Sequence, residues 1–310
     1  MKIFKLSLGL LAVLAYVPSA IAAATPVLGS NLSQFSVFAG IGGATNTPTE
    51  YGTPDTVTTT LSNSLGTTNT TDSGITGFWG AKQNSGPGIV SSNIGPKNTD
   101  IHQGNAFSTT TYSELTAAQN LLEGMRYVGI TEFGDLSGMT LKPGVYSLSA
   151  PAYNLGVGQT VTLDGEGFLN PQWVFLATSS IIMDTNSVVS LINADAGASV
   201  YWDAVSSITM NVGATMVGNF LAQTSITMLA NATISCGRAL DGDLAGGGNV
   251  TMSSNTIVSS NCDNGSASGL NGIMAASADP AAAAVPEPES YTLVLAGIGV
   301  MGFLSRRRKS

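Results

Sequence analysis

The side chains of this 310-residue chain that could act on a partner are mostly small hydroxyls, and they recur in one pattern. Five short segments read almost alike: Thr160-Val161-Thr162-Leu163, Ser180-Ile181-Ile182-Met183, Ser207-Ile208-Thr209-Met210, Ser225-Ile226-Thr227-Met228 and Asn249-Val250-Thr251-Met252. Side chains alternate between the two faces of a strand, so Val or Ile and Leu or Met point one way in all five. Thr160, Ser180, Ser207, Ser225 and Asn249, with Thr162, Ile182, Thr209, Thr227 and Thr251, point the other way. Stacked as solenoid rungs ~4.8 Å apart, these strands give an apolar inner wall and two outer polar columns. A flat, nearly uncharged array of small hydroxyls suits an ordered lattice better than it suits catalysis.

Groups for acid–base or nucleophilic chemistry are sparse. The one histidine, His102, falls in an irregular N-terminal stretch and reads as a surface residue. Asp241-Gly242-Asp243 is the best acidic pair, and two acids about a glycine are usually a turn. The triplet falls well short of a full calcium loop. Ser and Thr abound, but no nucleophile-elbow pattern accompanies them. A solenoid enzyme acting on sugars needs clustered acids or a base in a groove. No enzyme, metal or cofactor is therefore expected. The two cysteines, Cys236 and Cys262, are separated by about one rung. They could join neighbouring coils as a disulfide worth ~3 kcal/mol in the chain-entropy model, or stay as two buried thiols. No metal or redox spacing surrounds them.

Both ends of the chain carry export signals. Lys2 and Lys5 precede an apolar run from Leu6 to Val17 and the small residues Ser19 to Ala24, the pattern of a cleaved secretory peptide over 1–23. At the other end a small-residue linker (264–284) leads to Val285-Pro286-Glu287-Pro288-Glu289, an apolar segment from Tyr291 to Leu304, and Arg306-Arg307-Arg308-Lys309. The basic cluster would stay cytoplasmic, and the apolar segment is short for a membrane span. This order resembles the PEP-CTERM sorting tail of Gram-negative bacteria, with Pro286, Glu287 and Pro288 as its motif, over 285–310. The resemblance implies an exosortase as partner, transient anchoring in the inner membrane, and delivery to the cell surface or extracellular matrix. Between the ends, five Lys and Arg stand against seventeen Asp and Glu, a net charge near −12 thinly spread. That balance excludes nucleic acid and anionic membrane surfaces as partners, and membrane contact is expected only through the C-terminal segment.

The repeats need a scaffold. Val161, Ile181, Ile208, Ile226 and Val250 are separated by 20, 27, 18 and 24 residues. Within the shortest interval, Ser207 to Met210, Ala214 to Val217 and Asn219 to Ala222 form three segments, which predicts a β-solenoid of triangular section. Longer intervals place loops at corners, at 193–198 and 241–248. The third side differs: Trp173-Val174-Phe175-Leu176, Val200-Tyr201-Trp202 and Phe220-Leu221-Ala222 are apolar at adjacent positions, so both faces are buried. Its cover is a helix over 111–125, where Leu115, Ala118, Leu122 and Met125 make one apolar stripe and Ser113 or a nearby Thr is the cap.

At this point the chain resembles the bacterial and fungal ice-binding proteins, which are built on a discontinuous β-solenoid with a helix alongside. The segments that carry the likeness are Leu28-Gly29-Ser30, Phe35 to Gly40, Leu141 to Tyr146, Leu163 to Gly167, Trp173-Val174-Phe175, Val217 to Ala222 and Gly237 to Leu240. The resemblance implies a mainly β, irregular triangular solenoid over 24–263, with N-terminal strands joining out of sequence order. The Thr/Ser/Gly-rich stretch 45–105 fits least and reads as a cap or insertion. The family's Thr-Ala/Gly-x-Thr/Asn pattern is matched imperfectly at Thr185 to Val188, Val212 to Thr215, Ala230 to Thr233 and Ser253 to Thr256. Thr185, Thr215, Thr233 and Thr256 are therefore secondary candidates. The implied partner is an ice crystal surface met by a monomer. Asp164 and Asp184, beyond Thr162 and Ile182 on the same side, favour liquid hydration and moderate activity. The competing reading is a structural or adhesive surface protein that binds exopolysaccharide, with Trp79 or Tyr51 stacking on sugars.

Overall fold

A computed structural model of the chain describes residues 27–47, 59–78, 89–90, 101–126, 134–148, 152–195, 197–242 and 248–259. They form a three-sided parallel β-solenoid flanked by one α-helix. Side one stacks, in order, Ala152–Leu155, Ser180–Met183, Ser207–Met210, Ser225–Met228, Asn249–Met252, Gly43–Asn46 and Ile75–Thr76. Side two runs from Thr140–Leu141 through Thr160–Asp164, Val188–Ile192, Thr215–Ala222, Thr233–Asp241, Thr256–Ile257 and Thr60–Leu61 to Ile89–Val90. Side three holds Gly144–Leu148, Gln172–Ala177, Ser199–Ala204, the far halves of Thr215–Ala222 and Thr233–Asp241, then Phe35–Ala39, Ser64–Thr67 and Ile101–Gln103.

The corner between sides one and two is the same four-residue turn on successive coils. Gln159, Ser187, Ala214 and Ala232 each donate a backbone hydrogen bond to the residue three before, at 3.0–3.1 Å. The residue just before each of these donors takes a positive φ: Gly158, Asn186, Gly213 and Asn231. That conformation favours Gly and Asn, so the identity of the corner residue is dictated by backbone sterics. Equal corners keep these four coils in register. The corner between sides two and three is tighter in two coils, where Gly218 (φ +116°) and Gly237 (φ +151°) bend one continuous strand onto the next side. A Cβ at Gly218 would stand 2.9 Å from Val200 and 3.0 Å from the Trp202 indole nitrogen. This bend replaces a loop, and accounts for the shortest coil in the sequence.

Inside the solenoid, Val161, Ile181, Ile208, Ile226, Val250 and the rung methionines share one core with the inward side-three residues Phe175, Trp202 and Phe220. These aromatics stack on neighbouring rungs, Phe175 on Trp202 at 3.9 Å and Trp202 on Phe220 at 5.8 Å between centroids. The outward residues of side three, Val174, Leu176, Tyr201, Leu221 and Leu240, form a second core with Leu115, Ala118 and Leu122 of the helix α1 (Ala106–Gly124). Each such burial contributes ~1.5–3 kcal/mol before entropy is charged. The expected cover is thus present, but it starts earlier than 111. Asn105 caps it in a reciprocal box with Ser108 rather than Ser113, because Asn105 accepts from the Ser108 amide at 2.8 Å while the Ser108 hydroxyl accepts from the Asn105 amide at 3.0 Å.

The chain order is discontinuous. The N-terminal strands stack beyond the C-terminal ones: Phe35–Ala39 pairs with Thr233–Asp241, Gly43–Asn46 with Asn249–Met252, and Thr60–Leu61 with Thr256–Ile257. Parts of 45–105 are therefore rungs, Thr60–Leu61, Ser64–Thr67, Ile75–Thr76, Ile89–Val90 and Ile101–Gln103. α1 then carries the chain back along side three, touching both Ile101–Gln103 and Gln172–Ala177. Those strands are six spacings apart, ~29 Å, and 19 helical residues span ~28 Å. One helix of this length returns the chain to the start of the stack.

Candidate functional site

Side one presents two outward columns in strict register. The first reads Ala152, Ser180, Ser207, Ser225, Asn249, Gly43; the second reads Asn154, Ile182, Thr209, Thr227, Thr251, Thr45, Thr76. The alternation is as expected: Ile181, Met183, Ile208, Met210, Ile226, Met228, Val250 and Met252 are buried, while Ser180, Ile182, Ser207, Thr209, Ser225, Thr227, Asn249 and Thr251 are half-exposed. None of the outward positions carries a formal charge.

Two expected members lie elsewhere. Thr160 and Thr162 belong to side two, where Thr160 pairs with Val188 and Thr162 with Ser190 and Thr140. The side-one strand of that coil is Ala152–Leu155, eight residues earlier. Both strands alternate in the same way, so the local pattern of Thr160 to Leu163 could not tell one side from the other. Asp164 moves with them to side two, which removes a charge from the neighbourhood of Thr209. Its carboxyl is held below the usual value of 3.8, chiefly by the Glu166 amide and then by the Asn193 side chain. Asp184 lies at the corner and accepts from the Asn211 amide group at 2.9 Å.

The secondary candidates also assemble. Thr215, Thr233 and Thr256 stand in one side-two column, flanked by Val188 and Thr160 on one end and Thr60 on the other. Thr185 sits in the corner turn beside Asn186. Sequence reasoning missed Asn154, Thr45, Thr76 and Thr60. For Thr45 the signal was present, since Gly43-Ala44-Thr45-Asn46 alternates like Asn249-Val250-Thr251-Met252, with which it pairs.

Several hydroxyls are oriented along the array. The Ser180 and Ser207 oxygens lie 3.3 Å apart, Thr76 donates to Thr45 at 3.2 Å, and Thr251 donates to the Asn249 side-chain oxygen at 3.2 Å. On side two Thr233 donates to Thr215 at 3.5 Å. Backbone spacing and these bonds fix the polar groups before any partner arrives, so little freedom is lost on contact. The arrangement can order a layer of water or meet an ordered surface.

The remaining reactive groups have structural surroundings. His102 lies in a regular strand, not an irregular stretch, half-buried with ring centroids 5.5 Å from Phe35 and 4.6 Å from Phe107. Asp241 is not in a turn but ends a strand, buried; Asp243 lies outside the described residues. Cys236 is disulfide-bonded, and Cys262 is the only other cysteine of the chain. Among the described residues no three His, Cys, Asp or Glu side chains converge on a metal position, and no helix is long and apolar enough to cross a membrane. Tyr51, Trp79, the sorting motif Pro286-Glu287-Pro288 and the segment from Tyr291 to Leu304 lie outside the described residues.

Comparison with known proteins agrees with this architecture. A PEP-CTERM protein-sorting motif matches residues 284–309. An ice-binding protein of Nostoc sp. (strain HG1) is 34% identical over 280 residues, covering 90% of this chain and 87% of that one. The crystal structure of an ice binding protein from an Antarctic Biological Consortium superposes with a TM-score of 0.59 at 25% identity, covering 79% of this chain and 96% of that one. An ice-binding protein from the Antarctic ascomycete Antarctomyces psychrotrophicus gives 0.59 at 25% identity, over 76% and 100%. With an ice-binding-like family model matching residues 44–258, through most of the solenoid just described, the chain belongs to the ice-binding-like family.

Proposed function

We propose that this chain adsorbs to ice through side one and thereby inhibits ice growth or recrystallisation. The observation that carries this reading is the uncharged second column, in which Thr209, Thr227, Thr251, Thr45 and Thr76 follow one another on consecutive rungs. Threonine offers a methyl and a hydroxyl at each lattice point, and the solenoid holds both at the inter-strand spacing. Ser180, Ser207, Ser225 and Asn249 form the parallel polar column. Replacing Thr209 and Thr227 with Tyr puts two large rings on the centre of the array without touching the core. Ice-crystal shaping and recrystallisation inhibition by purified protein are expected to vanish while the far-ultraviolet spectrum stays native. Unchanged ice growth in that double variant would sink the assignment.

Side two supports a second reading, because Thr215, Thr233, Thr256 and Thr60 make a column of their own. Loss of ice shaping in Thr215→Tyr/Thr233→Tyr, with none in the side-one variant, would transfer the role to that side. The sorting motif supports export over the signal 1–23, processing by an exosortase near Pro286-Glu287-Pro288, and a final place at the cell surface or extracellular matrix. The folded unit would then be 24–263, with 264–284 as linker. Retention on the producer's own exopolysaccharide without ice adsorption would favour the adhesive alternative.

A further inference from the structure

We infer that Arg238, buried on side three, is a positioning residue that splices the N-terminal and C-terminal stretches of the stack and so completes the threonine column of side one. This rests on the reading of side one as the ice-facing array. The guanidinium donates to the Ser33 carbonyl at 3.2 and 2.7 Å, to the Asn219 side-chain oxygen at 3.1 Å and to the Ser259 carbonyl at 3.3 Å. Ser33 lies two residues before the first N-terminal rung, Phe35–Ala39, and Ser259 two residues after the last C-terminal one, Thr256–Ile257. Asn219 belongs to the uninterrupted middle of the stack. One cation therefore ties the start, the end and the body of the solenoid at the place where the chain breaks.

A hydroxyl relay reinforces the same junction. The Ser36 and Ser259 oxygens are 2.6 Å apart, the Ser62 hydroxyl accepts from the Ser259 amide at 2.8 Å, and the Ser36 hydroxyl accepts from the Asn63 amide at 2.9 Å. The consequence reaches side one through register. Phe35–Ala39 leads directly into Gly43–Asn46, which lays Thr45 beside Thr251 and Thr76 beside Thr45. Two of the five consecutive threonines thus belong to the N-terminal coils, which meet the C-terminal rungs through non-covalent contacts. A planar fork with several fixed donors suits this three-way junction; a lysine has a point charge and cannot span it.

The test compares Arg238→Met, Arg238→Lys and Thr45→Tyr/Thr76→Tyr with the parent in the full exported chain, by amide hydrogen exchange and recrystallisation inhibition. Arg238→Met is expected to speed exchange in Phe35–Asn46 and Thr60–Thr67 while Ser180–Met228 keeps its protection. Its ice activity should fall several-fold, to the level of Thr45→Tyr/Thr76→Tyr, with Arg238→Lys between. Full ice activity in Arg238→Met with a loosened N-terminal coil would overturn the inference, as would uniformly faster exchange along the whole chain. Should Arg238→Met fail to fold, Thr45→Tyr/Thr76→Tyr decides: undiminished ice activity there overturns it. A parent protein without ice activity overturns the side-one reading and this inference together; loss in Thr209→Tyr/Thr227→Tyr but not in these variants overturns this inference alone.

Discussion

Beneath the last turn of α1, the Asp203 carboxyl is fully buried with the Glu123 carboxyl as its hydrogen-bonding neighbour. Burial, and after it the neighbouring Glu123 carboxylate, hold its pKa far above the ordinary 3.8, while Arg126 offsets part of this. Arg126 is itself engaged, by both Glu123 oxygens at 2.6 and 2.8 Å and by the Leu176 carbonyl at 3.1 Å. An acid with a raised folded-state pKa keeps a proton that the unfolded chain releases. Its contribution is therefore present at acid pH and is lost as pH climbs above 3.8 toward the folded value. Asp203→Asn keeps the shape and cannot ionise. The variant is expected to be more stable than the parent at neutral and alkaline pH and to show a flatter dependence of melting temperature on pH. Parallel pH profiles for the two proteins would refute this. At this scale the sequence was half legible. Alternation alone separated Ile208 and Met210 from Ser207 and Thr209, whereas the setting of Asp203 depends on a helix residue 80 positions away and left no local trace.

Corners and the covering helix decide what the repeated strands can do. A motif of the Ser-Ile-Thr-Met kind announces a rung but not which side it occupies, and Thr160 to Leu163 shows the cost of that ambiguity. The distinguishing signal lay in the turns: the positive-φ residue follows the last side-one residue by three, at Gly158, Asn186, Gly213 and Asn231, and opens side two. Gly218 sets the other corner, and at φ +116° its missing Cβ leaves room for the Val200 backbone and the Trp202 ring. Gly218→Ala should cost ~1–3 kcal/mol, through strain and through neighbours of the packed core that have little freedom to retreat. Leu122→Ala empties the fully buried contact of α1 with side three and should cost ~2–5 kcal/mol. Urea denaturation measures both, and a wild-type midpoint in either would show that the element is not held as described. The apolar stripe of α1 was readable from spacing. Its start was not, because Asn105 and Ser108 compete with many Ser and Thr residues of equal capping quality.

Across the whole molecule, the defining feature is that one superhelical path is made from two stretches of chain in inverted order. Long-range pairing of this kind has no local signature, so only a family resemblance anticipated it; the repeated alternating segments pointed to the solenoid but not to its splice. The same topology makes the C-terminal rung vulnerable. Thr256–Ile257 is only two residues long, yet it lies between Thr233–Asp241 and Thr60–Leu61 and so carries side two across the junction. Two backbone pairs on each side are a weak hold on so short a strand. A bond between Cys236, which is disulfide-bonded, and Cys262 is the proposal drawn from the sequence, and it would close a short ring of chain around this strand. In the chain-entropy model a ring of that length is worth ~3–4 kcal/mol, all of it available only in an oxidising compartment. Adding a strong reductant should therefore lower the melting temperature of the parent and loosen exchange in Thr256–Ile257 before Ser207–Met228. Cys236→Ser should start from the lowered value and ignore the reductant. A parent protein equally stable in both states would mean that the rungs on either side hold the strand unaided, and that the thiols matter for something other than the fold.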